Sequence, residues 1–426
     1  MSAPRRIVCF GPGPMFKGGI SQYNTSLARS LAAAPGTEVH IVSWTQQYPA
    51  IIPRDFVDRS SRQSLLEGTG IPVTYLTDYN RPSTWRQTAA HIAALKPDTV
   101  VFQWAIALQG LPMGRIARML KRLSPGTEIL FDVHVLVQKE ASAVDRLFTR
   151  YGLEAADGYI VHAYKTAEEL QAVFPRTPMR VSENGQRGGS GKLIIKLFHP
   201  VYDLFKPDPA FDVQAFKASM GLRKHVFLFF GFIRKYKGLH NVIPAFAQVA
   251  AERQDVSLLI VGESFWHTLD RSKWSTRLKE AVFGLAKKLL VRNSDDERGY
   301  NPLALIESLK LGPEVAVVNQ FVPNEEVHRY FQASDAILTY YLTATPSGVE
   351  SLAYNFRLPV LATRVGHFPE TIRDGFNGYL AEPEDVDSMA EQMRRFLAQP
   401  LSGDHVAEAA AQMSWANYAK AVLGRA

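Results

Sequence analysis

The feature that most constrains this chain is a rhythm. Short, compact apolar runs alternate with longer segments of helical spacing over most of its length. Arg6–Phe10, Val39–Trp44, Thr99–Trp104, Glu128–Val133 and Gly158–His162 read as strands. Trp85–Leu95, Met113–Leu123 and Thr166–Phe174 carry apolar residues at helical spacing between them. Strand and helix in alternation fold into a doubly wound parallel sheet, whose ligands sit at the carboxyl ends of the strands. That places Trp44 to Tyr48, Gln103-Trp104 and Asp132 to Glu140 around one cleft. The rhythm then resumes with Lys192–Phe198, Val226–Phe230, Ser257–Val261, Glu314–Val318, Ala336–Tyr340 and Leu358–Thr363.

A chain of 426 residues exceeds one ordinary core, so two α/β domains are expected. Arg176–Gly191, dense in Gly, Pro, Arg and Ser, reads as a mobile loop or linker near the boundary. The expected division is 1–198, 199–410, and a closing helix, 411–426, packed back across both domains. His199-Pro200-Val201-Tyr202-Asp203 reads as the inter-domain connection.

Composition narrows the function classes. Hydrophobic residues at 46% and charged residues at 21% describe a soluble globular protein. No run of about 18 apolar residues is present, and the N-terminus enters a strand without a leader-like segment. The single cysteine, Cys9, excludes an intrachain disulfide, and a cytoplasmic setting is expected. A net charge of +7 suits an anionic substrate or an anionic membrane surface. No nucleic-acid-binding motif accompanies it, so nucleic acid is not an expected partner.

Three segments offer anion sites. In GPGPMFKGGISQYNTSLARSLAAA, Gly11, Gly13, Gly18 and Gly19 keep a strand-to-helix loop small, and the first helical turn carries no acid. A tight turn alone also accounts for those glycines. In GFIRKYKGLHNVIPAFAQVA, Arg234, Lys235 and Lys237 crowd the start of a helix whose dipole they oppose. An anion held between cations and helix end resolves that conflict, and a solvated basic turn is the plainer reading. In TATPSGVESLAYNFRLPVLATRVGHFPE, Ser347, Gly348 and Val349 open a helix with unsatisfied N–H groups. Taken alone it could be a structural turn.

Other residues are less specific. His134, just past its strand, is the best titratable candidate of the first half, although a lone His is often structural. Trp274–Arg292 is a basic amphipathic stripe that either packs on its domain or touches a membrane. Asp385-Val386-Asp387 looks like a metal-binding Asp-x-Asp but sits in a first helical turn, where acids favour the dipole. No other metal-spaced cluster appears, so no metal is expected.

These motifs together resemble the retaining, nucleotide-sugar-dependent glycosyltransferases of the fourth family, which have the two-domain GT-B fold. The signature pieces are GGI near the N-terminus, FGFIRxYKGL, and SGVxxxAYxFxxPVxAT with VGxxPE. The resemblance implies two Rossmann-like domains facing across a cleft, with a nucleoside-diphosphate sugar held between them and no separate cofactor. It implies that Gly18 and Gly19 approach the diphosphate, and that Arg234, Lys237 and the backbone of Ser347, Gly348 and Val349 meet it from the other side. His134 would lie near the transferred sugar, and Glu140 follows it in similar sequences. Many relatives also carry two Glu residues with seven residues between them. Aligned on Pro359, those positions hold Ala344 and Leu352 here, and Glu350 is the nearest substitute for the ribose contact. The implied acceptor is a glycan, a lipid-linked or a small-molecule hydroxyl, reached in the cytoplasm or at the inner face of the plasma membrane.

Overall fold

The computed structural model describes residues 3–50, 56–61, 65–136, 143–264, 299–346 and 348–425. Ser347, Glu140 and the 274–292 stripe lie outside the described residues.

Two parallel sheets organise the chain. The first takes β1 (Arg5–Phe10), β2 (Thr37–Gln46), β3 (Val73–Asp78), β4 (Thr99–Trp104), β5 (Glu128–Val133), β6 (Gly158–Val161), β7 (Met179–Ser182) and β8 (Lys192–Lys196). Its eight strands run in the order β3-β2-β1-β4-β5-β6-β8-β7. The second takes β9 (His225–Phe230), β10 (Val256–Val261), β11 (Val315–Val318), β12 (Ala336–Thr339), β13 (Val360–Thr363) and β14 (Gly378–Ala381). Its six strands run β11-β10-β9-β12-β13-β14. Every strand of β4 and β10 is buried along its whole length, as expected for parallel strands covered by helices on both faces.

In both sheets the order reverses at one point, between β1 and β4 and between β9 and β12. A doubly wound sheet opens a crevice at such a reversal, outside the carboxyl ends of its strands. The loops after β1, β4, β9 and β12 are therefore where each domain offers a ligand its backbone.

The two domains share one apolar cluster. It runs from Cys9 and Tyr23 through Tyr202 and Phe205 to Val226, Leu352 and Tyr354, and takes in Trp415 and Tyr418. Those last two belong to the closing helix, Trp415–Val422, which Ser414 caps by accepting from Asn417 N at 3.2 Å. This helix lies on the first domain. Ser30 Oγ donates to Trp415 O at 2.7 Å, and Arg5 Nη1 donates to Leu423 O.

The 176–191 stretch departs from the expected mobile linker. It contains β7, which pairs in parallel with β8, and Arg187, which donates to Glu128 at 2.8 Å and to Val422 O at 2.7 Å. Gly185 has φ +71°, and a Cβ there would lie 2.0 Å from Ala421 O. The glycines admit the closing helix to the edge of the sheet, which composition alone cannot distinguish from flexibility. Asp385 caps its helix by accepting from Ser388 N at 2.9 Å, so this carboxylate acts on the backbone.

Candidate functional site

The first domain's contribution is built on the loop after β1. Gly13 N donates to Ser43 Oγ at 2.7 Å, and Ser21 Oγ returns to Gly13 O at 2.6 Å, so the loop is held to the sheet. The helix Gly19–Ala33 then starts at Gly18, which has φ 103° and ψ 166°, no side-chain cap and no acid in the following turn. Among the described residues no atom lies within 4 Å of where a Gly18 Cβ would stand. The helix's leading N–H groups have no intrahelical acceptor by construction.

The second domain's contribution follows β9. Gly231, with φ +94°, lets the chain turn sharply, and Gly238, with φ +70°, ends a tight turn and starts the helix Leu239–Glu252. A side chain on Gly238 would strike Tyr340 O at 2.1 Å, because this loop packs on the end of β12. Lys237 is only 5% exposed, and its Nζ donates to Phe230 O at 3.3 Å. Burial, and secondarily the charge of Arg234, pushes its pKa down to about 7. Among the described residues no carboxylate forms an ion pair with Lys237. A buried ammonium without a counter-ion is costly, and an anion supplied from outside relieves the cost.

The third piece is the helix Gly348–Asn355. A Cβ on Gly231 would lie 2.6 Å from Lys237 Nζ and 3.5 Å from Val349 Cγ2, so the ammonium and this helix start are neighbours. A Cβ on Gly348 would lie 2.5 Å from Tyr202 Cε2. Tyr202 Oη in turn donates to Gly19 O at 2.8 Å. One tyrosine of the inter-domain connection thus sits between the glycine-led helix starts of both domains. Gly18, Gly19, Gly348, Val349 and Lys237 are brought together by it, and Arg234 lies on the same loop as Lys237.

His134 joins this neighbourhood from the end of β5. Its Nε2 lies 2.8 Å from Gln103 Oε1 at the end of β4, and Tyr23 packs edge-on against its ring at 4.5 Å. Tyr23 also meets His199 at 5.0 Å, and His199 meets Tyr202 at 5.5 Å. Burial brings the His134 pKa down to about 4, so the ring is neutral near pH 7. Asp132, His134 and His162 have potential ligand atoms within 4.8 Å of one another. Their partners are nevertheless internal: Asp132 accepts from His162 at 2.9 Å and from Tyr418 Oη at 2.7 Å. Asp132 and His162 thus form a hydrogen-bonded pair that ties the closing helix, through Tyr418, to the strand before His134.

Glu350 departs from the expectation that it reaches a ribose. It is 4% exposed, and its carboxylate accepts from Tyr354 Oη at 2.9 Å, from Thr371 and from His367. Burial opposes its ionisation, but His367 and the hydroxyl donors outweigh that and hold the carboxyl below its usual value. It pins the helix Gly348–Asn355 to the loop before β14. Tyr202 and Tyr23 are the residues that sequence reasoning missed.

The chain matches the model of the glycosyl transferases group 1 over residues 212–419 and that of a glycosyl transferase 4-like domain over residues 18–185. It is 28% identical over 258 residues to a D-inositol 3-phosphate glycosyltransferase of Mycobacterium sp. (strain JLS), covering 58% of this chain and 46% of that one. The match thus spans under half the length of that relative. Among solved structures, sucrose-phosphate synthase from Thermosynechococcus elongatus superposes with a TM-score of 0.63 at 18% identity, over 98% of this chain and 97% of the other. Anabaena Alr3699/HepE in complex with UDP and glucose gives a TM-score of 0.64 at 15% identity, over 99% and 97%. With its two matched domains and its paired parallel sheets, the chain belongs to the group 1 glycosyltransferases and has their two-domain GT-B fold.

Proposed function

We propose that this chain is a retaining, metal-independent glycosyltransferase that moves a sugar from a nucleoside-diphosphate sugar to a hydroxyl of a glycan, lipid-linked or small-molecule acceptor. The observation that carries the reading is the convergence of two glycine-led helix starts and the uncompensated Lys237 on one crevice. Such a place has the chemistry of a diphosphate site. A fold relative holding UDP and glucose, Anabaena Alr3699/HepE, supports a nucleotide-sugar donor.

The proposed chemistry follows from charge. The bond between the sugar's anomeric carbon and the β-phosphate oxygen breaks, and its electron pair stays on the phosphate. The acceptor oxygen bonds to that carbon on the same face, and its proton passes to the departing phosphate oxygen. Lys237, Arg234 and the N–H groups at Gly19, Gly348 and Val349 stabilise the phosphate charge, at roughly 3–4 kcal/mol for a well-placed donor. Cations of the chain take the part that a metal would otherwise play, and no cofactor beyond the donor is required. Neutral His134 orients the sugar without adding positive charge where the sugar itself becomes cationic.

The test has three parts. Thermal shift over UDP-, GDP-, ADP- and dTDP-sugars identifies the donor. The anomeric configuration of the product, read by NMR, decides retention. Turnover in the presence of EDTA decides metal independence. Inversion, or activity abolished by EDTA and restored by a divalent ion, sinks the corresponding part of the proposal.

One observation favours a second reading. The two acidic positions hold Ala344 and Leu352, and the nearest carboxylate, Glu350, is committed to internal partners. A GT-B subunit that binds a nucleotide sugar without turning it over fits that feature, as does a hydrolase or epimerase of the same fold. Donor affinity without turnover across acceptors would select the former, and nucleotide release without an acceptor the latter. The proposed setting is the cytoplasm, with peripheral contact at an anionic membrane. Among the described residues no helix is long and apolar enough to cross one.

A further inference from the structure

We propose that Gln103 is a positioning residue. It holds His134 in the tautomer that carries its proton on Nε2, which leaves Nδ1 as an acceptor for a hydroxyl of the transferred sugar. This deepens the transferase reading and rests on it for the sugar, while the tautomer is readable without donor or turnover.

The sheet brings the two side chains together. Gln103 pairs with Asp132 in the register of β4 and β5, and His134 N donates to Trp104 O at 2.9 Å, which carries the ladder one residue past β5. Residues two apart on a strand share a face, so Gln103, Asp132 and His134 stand on one side at the carboxyl end of the sheet. Gln103 is fully buried, and the loop after β1 makes room for it, because a Cβ on Gly11 would lie 2.7 Å from Gln103 Cγ. A glycine that reads in sequence as one of several keeping a loop small thus gives this side chain its space.

The tautomer follows from what each partner can do. Burial keeps the His134 ring neutral near pH 7, so one of its nitrogens bears the proton. Its Nε2 stands 2.8 Å from Gln103 Oε1, and a carbonyl oxygen only accepts, so the proton is on Nε2. Asp132 is already engaged, since its two oxygens accept from His162 and from Tyr418. The way round that the Gln103 amide sits is therefore decisive, and Asn24 selects it. Both side chains lie beside Gly11, and Gln103 Nε2 and Asn24 Oδ1 are buried without a hydrogen-bond partner among the described residues. As they stand, these two atoms are a donor and an acceptor. With the amide turned round they would be two unpaired carbonyl oxygens that no adjustment could join, and each such buried acceptor is costly. The choice has a chemical consequence. An Nδ1 lone pair presented to a sugar that gains positive charge stabilises it, whereas an N–H dipole there opposes it.

The experiment is a long-range proton–nitrogen NMR correlation on the full chain with isotope-labelled histidine, near neutral pH. His134→Gln identifies the His134 signals among the 11 histidines. The wild type is expected to show a protonated Nε2 and a bare Nδ1. Gln103→Leu removes the acceptor and is expected to show both tautomers in exchange. If that variant does not fold, Gln103→Met, closer in length, takes its place, and the wild-type spectrum can overturn the proposal by itself. Calorimetry supplies a second arm, with UDP and UDP-glucose as probes, or the GDP, ADP or dTDP pair where thermal shift selects it. Gln103→Leu is expected to weaken the nucleotide sugar about fivefold, the value of one hydrogen bond, and to leave the bare nucleotide near wild type. The proposal is overturned if the wild-type proton is on Nδ1, or if the variant keeps the wild-type tautomer. It is also overturned if the variant weakens the bare nucleotide as much as the nucleotide sugar, or binds both like the wild type. The expected tautomers in a protein that binds no nucleotide sugar of the panel support the hold of Gln103 on His134 while counting against the transferase reading.

Discussion

Both domains aim a glycine-led helix at the same tyrosine, yet the side chains they bring to that neighbourhood differ in charge. On the first-domain side the groups near Tyr202 are Tyr23, Gln103, His134 and His199, all buried. Burial holds both histidines below their ordinary value, so they are uncharged near neutral pH. On the second-domain side stand Arg234, Lys235 and Lys237, the last buried against Gly231. The difference has a simple physical meaning on the proposed reading. A departing phosphate gains negative charge while the sugar gains positive charge, so a cation helps on one side and hinders on the other. Symmetric backbone geometry can bind a diphosphate; the asymmetric side chains are what would polarise it.

The sharpest way to break this comparison is at Lys237. Lys237→Met should reduce turnover by about 10²–10³, the cost of losing one preorganised donor to the leaving group. It should also raise thermal stability, because the wild type buries a desolvated amine. The sign is definite: the folded pKa lies below the unfolded one, so the penalty is fully present below about pH 7 and fades as pH rises toward the ordinary lysine value of about 10.4. The melting-temperature gap between Met variant and wild type should therefore be wide at pH 6 and narrow at pH 10. Wild-type turnover in the variant would remove the second domain's charge from the reaction.

A smaller effect concerns binding alone. A diphosphate favours the protonated form of Lys237, whose free-state value is about 7. Donor affinity should therefore fall by up to about tenfold per pH unit above 7, and binding at pH 8 should take up a proton. Calorimetry in buffers of different ionisation enthalpy measures that uptake directly. Lys237→Arg should abolish it. His134, already neutral above about pH 5, should contribute no pH dependence in this range.

The glycines sharpen the comparison geometrically. Gly18→Ala meets no neighbour among the described residues but forces a side chain onto φ 103°, a conformation that residues with a Cβ avoid. Gly348→Ala instead drives a methyl to 2.5 Å from the Tyr202 ring. Each should cost about 1–3 kcal/mol in stability or donor binding. Only the Gly348 cost should be relieved by Tyr202→Ala, so a double-mutant cycle followed by thermal melts separates backbone strain from a clash.

Much of this was legible beforehand, and the misses share a cause. The buried parallel strands announce themselves because apolar runs such as VVF and SLLIV need cover on both faces. β3, β7 and β14 did not, since they are short, or lie at a sheet edge with half-exposed side chains. The glycine loops and the Arg-Lys turn could be read because their chemistry is local. Glu350 misled because a carboxylate near the right position says nothing about which way it faces, and here Tyr354, Thr371 and His367 turn it inward. Tyr202 was invisible for the converse reason. Its importance lies in contacts with Gly19 and Gly348, well over a hundred residues apart, which no local pattern encodes.

The smallest expected effect tests that tyrosine. Tyr202→Phe keeps the ring against Gly348 and removes only the hydroxyl that donates to Gly19 O at 2.8 Å. The lost hydrogen bond is worth about 1 kcal/mol, close to fivefold in a binding constant. If the hydroxyl merely stabilises the fold, the variant should melt earlier and bind the donor normally once folded. If it sets the spacing of the two helix starts, donor affinity should fall about fivefold at temperatures where the protein is fully folded. The ring, still in place, would keep the second domain's helix start fixed, so the loss would belong to the first domain's side of the crevice. Calorimetric titration of the donor well below the melting transition distinguishes the two, and unchanged affinity there would reduce Tyr202 to packing.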